Sequence, residues 1–80
     1  MYLLIDDQSK EMIITESVFE LKEYVLKYLF NHKTDLILDA RLQKLYEEIV
    51  NDLFVAEDDE DVQRCLNAIN VYYNRRLWIK

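Results

Sequence analysis

The sequence predicts a small single α+β domain over residues 1–80, in which an N-terminal β-hairpin is followed by three amphipathic helices. Two short apolar runs surround a polar stretch within the first fifteen residues, a pattern typical of a hairpin. Apolar residues then recur at helical spacing over about residues 17–31, 35–54 and 59–75. We expect these helices to cover one face of a small antiparallel sheet.

The hairpin is expected over residues 1–15, with strands rich in Ile, Leu and Tyr. Its loop contains no Asn-Gly or Asp-Gly pair, so we expect more than two loop residues. The chain closes with a tail at residues 76–80. This tail alternates Leu77 and Ile79 against Trp78, which fits either a short strand added to the hairpin or an extended tail.

The first helix is predicted to begin at Ser17, whose hydroxyl can accept from the backbone N–H of Glu20 while the Glu20 carboxylate reaches back to the Ser17 N–H. One wide apolar arc of residues 17–31 would face the core. It consists of Val18, Leu21, Tyr24, Val25, Tyr28 and Leu29. Asn31 or His32 is expected to stand where glycine usually ends a helix, because the chain has no glycine.

The second helix is expected to begin at Thr34 or Asp35, which are both good N-caps. Its core face would hold Leu38, Leu42, Leu45, Tyr46, Ile49 and Leu53. The core face of the third helix would hold Val62, Cys65, Leu66, Ile69, Tyr72 and Tyr73. In one continuous helix these two faces would lie nearly half a turn apart, so the chain is predicted to break between Phe54 and Asp58.

Composition is typical of a globular protein, with 51% hydrophobic and 32% charged residues. The chain contains neither Gly nor Pro, which excludes glycine-rich phosphate loops and leaves the turns to Asp, Asn, Ser and His. The single cysteine excludes an intramolecular disulfide and indicates a reducing, cytoplasmic location. The apolar runs are too short for a membrane span, so no membrane partner is expected.

Five consecutive acids stand in the stretch VAEDDEDVQRC, and they are Glu57, Asp58, Asp59, Glu60 and Asp61. Without them eleven acids face ten bases, so five of the six net negative charges lie here. A calcium loop would need a glycine at its sixth position and a glutamate at its twelfth, and no register provides both. Asp58 or Asp59 can instead cap the third helix, with Glu60 paired to Arg64.

Two alternatives to a purely structural role concern nucleic acid. The acidic run could occupy a basic surface that otherwise holds phosphates, which would make the chain a nucleic-acid-mimicking inhibitor. The stretch YYNRRLWIK could bind nucleic acid directly through its aromatics and arginines. The net charge of −6 and the expected burial of Tyr72 and Tyr73 argue against this direct binding.

Candidate catalytic and metal-binding residues are few. His32 and Cys65 are the only histidine and cysteine, so a zinc site with the usual nitrogen and sulfur ligands cannot be assembled. We expect Cys65 in the core and His32 at a helix end. No carboxylate pair stands out among sixteen acids. The sequence therefore predicts no enzyme, no cofactor and no metal.

A second apolar stripe on the first helix is the main candidate site. Phe19, Leu26 and Phe30 lie beside Lys22, away from the core arc. The stripe is either buried between the sheet and the other helices or exposed for docking. The leading hypothesis is a non-enzymatic regulator or inhibitor that binds another protein through these four residues. A third possibility is a structural or oligomeric accessory protein, in which the stripe pairs with a second copy.

Overall fold

The computed structural model describes all 80 residues and places the helices on one face of a three-stranded antiparallel sheet. The strands are β1 (Tyr2–Asp6), β2 (Glu11–Thr15) and β3 (Leu77–Ile79). The helices are α1 (Val18–Asn31), α2 (Lys33–Leu36), α3 (Ala40–Val55) and α4 (Asp59–Tyr73). The predicted α+β class, a hairpin followed by helices, is confirmed, with one extra short helix.

The sheet has the order β2-β1-β3, so the first strand of the chain is the central one. Leu3 pairs with Ile14, and Ile5 pairs with Met12 on one side and Trp78 on the other. The tail is therefore a strand rather than an unpaired extension. It adds to the hairpin on the side of β1 that β2 leaves open.

The hairpin turn is built around Asp6 and Lys10. The Asp6 carboxylate accepts from the backbone N–H groups of Gln8 and Ser9, which fixes the start of the turn. Lys10 has a φ of 63° and lies in the left-handed region. The expectation that only Asp, Asn, Ser or His would make the tight turns is wrong at this position. The Lys10 ammonium lies 3.2 Å from an Asp7 carboxylate oxygen across the turn.

Helix α1 begins as predicted, because the Ser17 hydroxyl accepts from the Glu20 N–H at 3.2 Å. The Glu20 carboxylate accepts from the N–H of Glu16 instead of Ser17. His32 is the C-cap of α1, as expected, but its φ of −104° is not the left-handed geometry that glycine supplies at helix ends. The next helix starts at once, and the chain needs no left-handed reversal there. The left-handed residue after a helix is Asn74, with φ 57°, at the end of α4.

The second predicted helix starts later than expected. Its N-cap is Asp39, whose carboxylate accepts from the Leu42 N–H at 2.9 Å, and not Thr34 or Asp35. The residues before it form the one-turn helix α2, which buries Leu36. Leu38 was expected in the core and is 75% exposed in the link between the two helices. Leu36 is the leucine of this segment that joins the core instead.

The predicted break between the second and third helices is present, since α3 ends at Val55 and α4 begins at Asp59. Asp58 is the N-cap of α4. The apolar face of α4 joins a single core cluster. Tyr72 was expected in this face and is exposed. This core consists of Leu4, Leu21, Val25, Leu29, Leu36, Tyr46, Ile49, Leu53, Ala56, Val62, Cys65, Leu66, Ile69 and Leu77. None of the helices has the length and apolar character needed to cross a lipid bilayer.

Candidate functional site

The second stripe of α1 is divided between core and solvent. Phe19 is 70% exposed and Phe30 is 57% exposed. Leu26, between them, is half-buried and packs against the core. The interpretation that the whole stripe is buried between the sheet and the other helices therefore does not hold. Both aromatic rings lie at the surface, one near each end of the helix.

Lys22, the charged member of the predicted site, contacts α3. Its ammonium donates to the backbone carbonyl oxygens of Phe54 at 2.9 Å and Ala56 at 2.7 Å. These carbonyls lie at the C-terminal end of α3, where the helix dipole is negative and where α3 has no basic residue of its own. Lys22 thus supplies the missing positive charge from the neighbouring helix.

Helix α3 extends the stripe with residues that lie outside the predicted site. Phe30 and Val50 line a shallow groove of about 300 Å³ between α1 and α3. Phe54 is one helical turn beyond Val50 and is exposed. We call this surface the α1/α3 face. It consists of Phe19, Leu26, Phe30, Val50 and Phe54. The sequence pattern placed Phe54 only at the predicted chain break. Its spacing of four residues from Val50 indicates that the two side chains lie on the same face of α3.

A second apolar surface lies on the side of the sheet away from the helices. Alternation along the strands puts Leu4, Ile13 and Leu77 toward the core. The residues between them form what we call the outer sheet face. It consists of Leu3, Ile5, Met12, Ile14 and Trp78. Met12 is 64%, Ile14 60% and Trp78 43% exposed. The signal was present in the sequence, because the apolar runs of the hairpin continue through both alternating positions.

The two edges of the sheet differ. On the β3 edge, side chains of α4 occupy the backbone groups that a further strand would use: Asn70 bonds both the N–H and the carbonyl of Leu77, and Gln63 accepts from the Ile79 N–H. On the β2 edge no other strand pairs with the backbone of Met12 and Ile14. The protein therefore protects one edge and leaves the other open.

The acidic run is largely used to start α4. Asp58 accepts from the Asp61 N–H at 2.9 Å, and Asp61 accepts from the Glu57 N–H at 3.0 Å. The hydrogen bond from the Glu57 N–H makes the largest contribution to lowering the pKa of Asp61, followed by the guanidinium of Arg64. Arg64 pairs with Asp61 rather than with Glu60. The predicted helix start therefore has Asp58 as its cap and Asp61 as its second anchor.

The remaining acids of the run carry no internal contact. The side chains of Glu57, Asp59 and Glu60 make no hydrogen bond or ion pair within the chain. No three His, Cys, Asp or Glu side chains converge as metal ligands. Three carboxylates thus stay available to a basic partner, which leaves the nucleic-acid-mimic hypothesis as a prediction.

The lone cysteine and histidine take structural positions. Cys65 is buried in the core, as predicted. Burial, followed by the negative charges of Asp52 and Asp61, raises the pKa of its thiol, which disfavours the reactive thiolate. His32 lies just after α1, stacks on the ring of Tyr28 and holds Nδ1 2.9 Å from the Tyr28 carbonyl oxygen. Neither side chain is arranged for nucleophilic chemistry.

The apolar pocket between the sheet and the helices is small and partly open. Its volume is about 40 Å³, and its lining is mostly apolar. A space of this size holds a few water molecules at most. The larger pockets are open depressions on the helix surfaces. No family model, no curated protein and no solved structure matches this chain.

Proposed function

We propose that this chain is a non-enzymatic protein-binding module, a small regulator or inhibitor that docks another protein on the α1/α3 face. One observation carries the proposal: Phe19 and Phe30 are exposed on a helix whose opposite face is fully buried. Each aromatic side chain offers roughly 150 to 250 Å² of surface. Removing that surface from water on binding contributes about 25 cal/mol per Å².

The shape of the face indicates the kind of partner. Phe19 and Phe30 are eleven residues apart on one helix, which corresponds to about 16 Å. The groove beside Phe30 runs between α1 and α3. An amphipathic helix of about three turns could lie along this line, with its apolar residues against Phe30, Val50 and Phe54.

Charges around the face would orient such a partner. Glu23 and Lys27 are exposed on α1, and Glu47 lines the groove on α3. Charged groups at the rim of an apolar contact affect association rate and selectivity more than affinity. Lys22 acts indirectly, because its ammonium fixes α1 against the end of α3. The proposal places the chain in the cytoplasm, where its single thiol stays reduced.

The test is a comparison of binding by the wild type and by Phe19→Ser/Phe30→Ser. Affinity capture identifies the bound protein, and titration with that purified protein gives its Kd. We expect the double substitution to raise Kd by about tenfold or more, since aromatic anchors dominate such contacts. Val71→Ser on α4 is the matched control, because Val71 is equally exposed but lies outside the face.

Three outcomes would count against the proposal. Equal binding by the wild type and the double variant would remove the α1/α3 face as the contact. Unfolding of the double variant in circular dichroism would mean that the stripe belongs to the core. Binding that falls steeply with salt and with Glu57→Lys/Glu60→Lys would instead favour the acidic inhibitor.

A further inference from the structure

We propose that two copies of this chain associate by stacking their outer sheet faces, independently of the α1/α3 face. Five apolar side chains form this face in two adjacent rows. One row joins Ile14 to Leu3, and the other joins Met12, Ile5 and Trp78. All helices lie on the other side of the sheet, so nothing within the chain covers these rows.

Charges at the two ends of β2 favour a second copy as the occupant. Glu16 follows Ile14 in the outward alternation of β2 and lies past one end of the apolar rows. Lys10 precedes β2 and lies past the other end. Lys10 and Arg76 share the single carboxylate of Asp7, so this end keeps one net positive charge. The strand therefore has a negative charge past one end of the apolar rows and a net positive charge past the other. A twofold axis across the strands would bring each charge to its opposite on the second copy.

This axis also matches the two rows. It sets Ile14 against Met12 of the second copy, and Leu3 against Ile5 of the second copy. Trp78 then faces Lys80 of the second copy, since Lys80 pairs with Leu3 at the end of the other row, and a lysine against a tryptophan ring is a favourable contact. An axis parallel to the strands would instead set Lys10 near Arg76 of the second copy, and like charges at that distance repel. Arg76 and Lys10 both already lie beside Asp7 in the single chain. We therefore assign the axis that crosses the strands, with the strands of the two sheets aligned as in a β-sandwich.

Stacking removes the apolar face from water, whereas pairing at a sheet edge would not. A second copy that added to the open β2 edge would extend the sheet and leave both outer faces exposed. The β3 edge is closed to such growth by Asn70 and Gln63. Only face-to-face contact buries Met12, Ile14 and Trp78 of both copies.

The size of the face sets the expected affinity. Three strands about 4.8 Å apart, the longest of five residues at about 3.3 Å each, give an area of roughly 15 by 17 Å. This is smaller than the roughly 800 Å² per partner of a standard stable interface. We therefore expect a dimer that forms in the micromolar to millimolar range and dissociates on dilution.

Sedimentation equilibrium over that concentration range tests the proposal, with Trp78 as an internal reporter. Trp78 is the only tryptophan and lies on the outer sheet face, so its emission shifts to shorter wavelength as the dimer forms. Met12→Lys/Ile14→Lys is expected to weaken association by about tenfold or more. Ile14→Thr, which retains a strand-forming side chain, is the milder variant should the double substitution unfold the sheet.

Charge exchange tests the assigned axis. Glu16→Lys and Lys10→Glu are each expected to weaken association a few-fold, and the double variant is expected to restore it. Phe19→Ser/Phe30→Ser is expected to leave association unchanged, which separates this dimer from the partner contact on the α1/α3 face. A chain that stays monomeric to millimolar concentration would overturn the proposal. Loss of the dimer in the Phe19/Phe30 variant, or a charge exchange that does not restore it, would overturn it as well.

Discussion

Asn70 on α4 bonds both backbone groups of Leu77 on β3. Its Nδ2 donates to the Leu77 carbonyl oxygen at 2.8 Å, and its Oδ1 accepts from the Leu77 N–H at 2.9 Å. A single side-chain amide thus takes the place of a residue on a neighbouring strand. Because Leu77 is buried, these two backbone groups have no access to bulk water and depend on Asn70.

We expect Asn70→Leu to lower the free energy of unfolding by about 2 to 4 kcal/mol, because it leaves a buried donor and a buried acceptor unsatisfied. Urea titration measures this change. Asn51→Leu is the control, since Asn51 is exposed on α3, away from the β3 edge. Equal stability of the two variants would mean that the Asn70–Leu77 pair contributes little.

Lys22→Met is expected to destabilise the fold by about 1 to 2 kcal/mol. The substitution keeps much of the aliphatic chain and removes the ammonium that bonds the carbonyls of Phe54 and Ala56. Lys27→Met on the exposed side of α1 provides the comparison in urea titration. A loss of equal size in the Lys27 variant would contradict a specific role for Lys22 at the end of α3.

Tyr46 and Tyr73 are expected to respond differently to loss of their hydroxyl groups. The Tyr73 hydroxyl donates to the Leu42 carbonyl oxygen at 2.7 Å, so Tyr73→Phe removes a hydrogen bond worth about 1 kcal/mol. The Tyr46 hydroxyl is buried without a partner, so Tyr46→Phe is expected to leave stability unchanged or raise it. Thermal unfolding of both variants measures the difference, and a Tyr46→Phe loss as large as that of Tyr73→Phe would contradict it.

The stability that Asp61 contributes is expected to depend on pH. Its pKa lies below the usual carboxyl value of 3.8, chiefly because the Glu57 N–H bonds the carboxylate. A lowered folded pKa stabilises the fold fully above the unfolded value, and this contribution is lost as the pH falls through the folded pKa. Asp61→Asn is therefore expected to be less stable than wild type near neutral pH.

The gap between wild type and Asp61→Asn is expected to close as the pH falls below 3.8, which urea titrations at several pH values would show. Glu60→Gln is the matched control, because the Glu60 carboxylate has no partner in the chain. A gap that stays constant down to the acid limit would mean that the Asp61 charge does not anchor the start of α4.

Periodicity predicted the parts of this fold that depend on local pattern. The capping by Ser17, the break before Asp58 and the hairpin all follow from residues close together in the chain. The start of α3 did not follow, because Asp35 and Asp39 are equally good caps. The burial of Leu36 favours a start at Asp39, and this burial depends on how the other helices pack.

The candidate surfaces were predicted only in part. The stripe pattern identified Phe19 and Phe30 but left open whether they were covered. The stripe pattern predicted that Lys22 contacts a partner. Its hydrogen bond to Ala56 does not follow from a local pattern, because the two residues are 34 positions apart. The outer sheet face could have been recognised from strands that are apolar at successive positions, but its exposure follows only from where the helices pack.

The central position of β1 has a kinetic consequence. Leu3 exchanges backbone hydrogen bonds with Lys80, so the second neighbour of the first strand comes from the far end of the described chain. The hairpin closes a short loop, whereas the pairing of β1 with β3 closes nearly all 80 residues. Loop-closure entropy grows with length, and long-range pairing slows folding. The addition of β3 is therefore expected to be the late event that sets the folding rate.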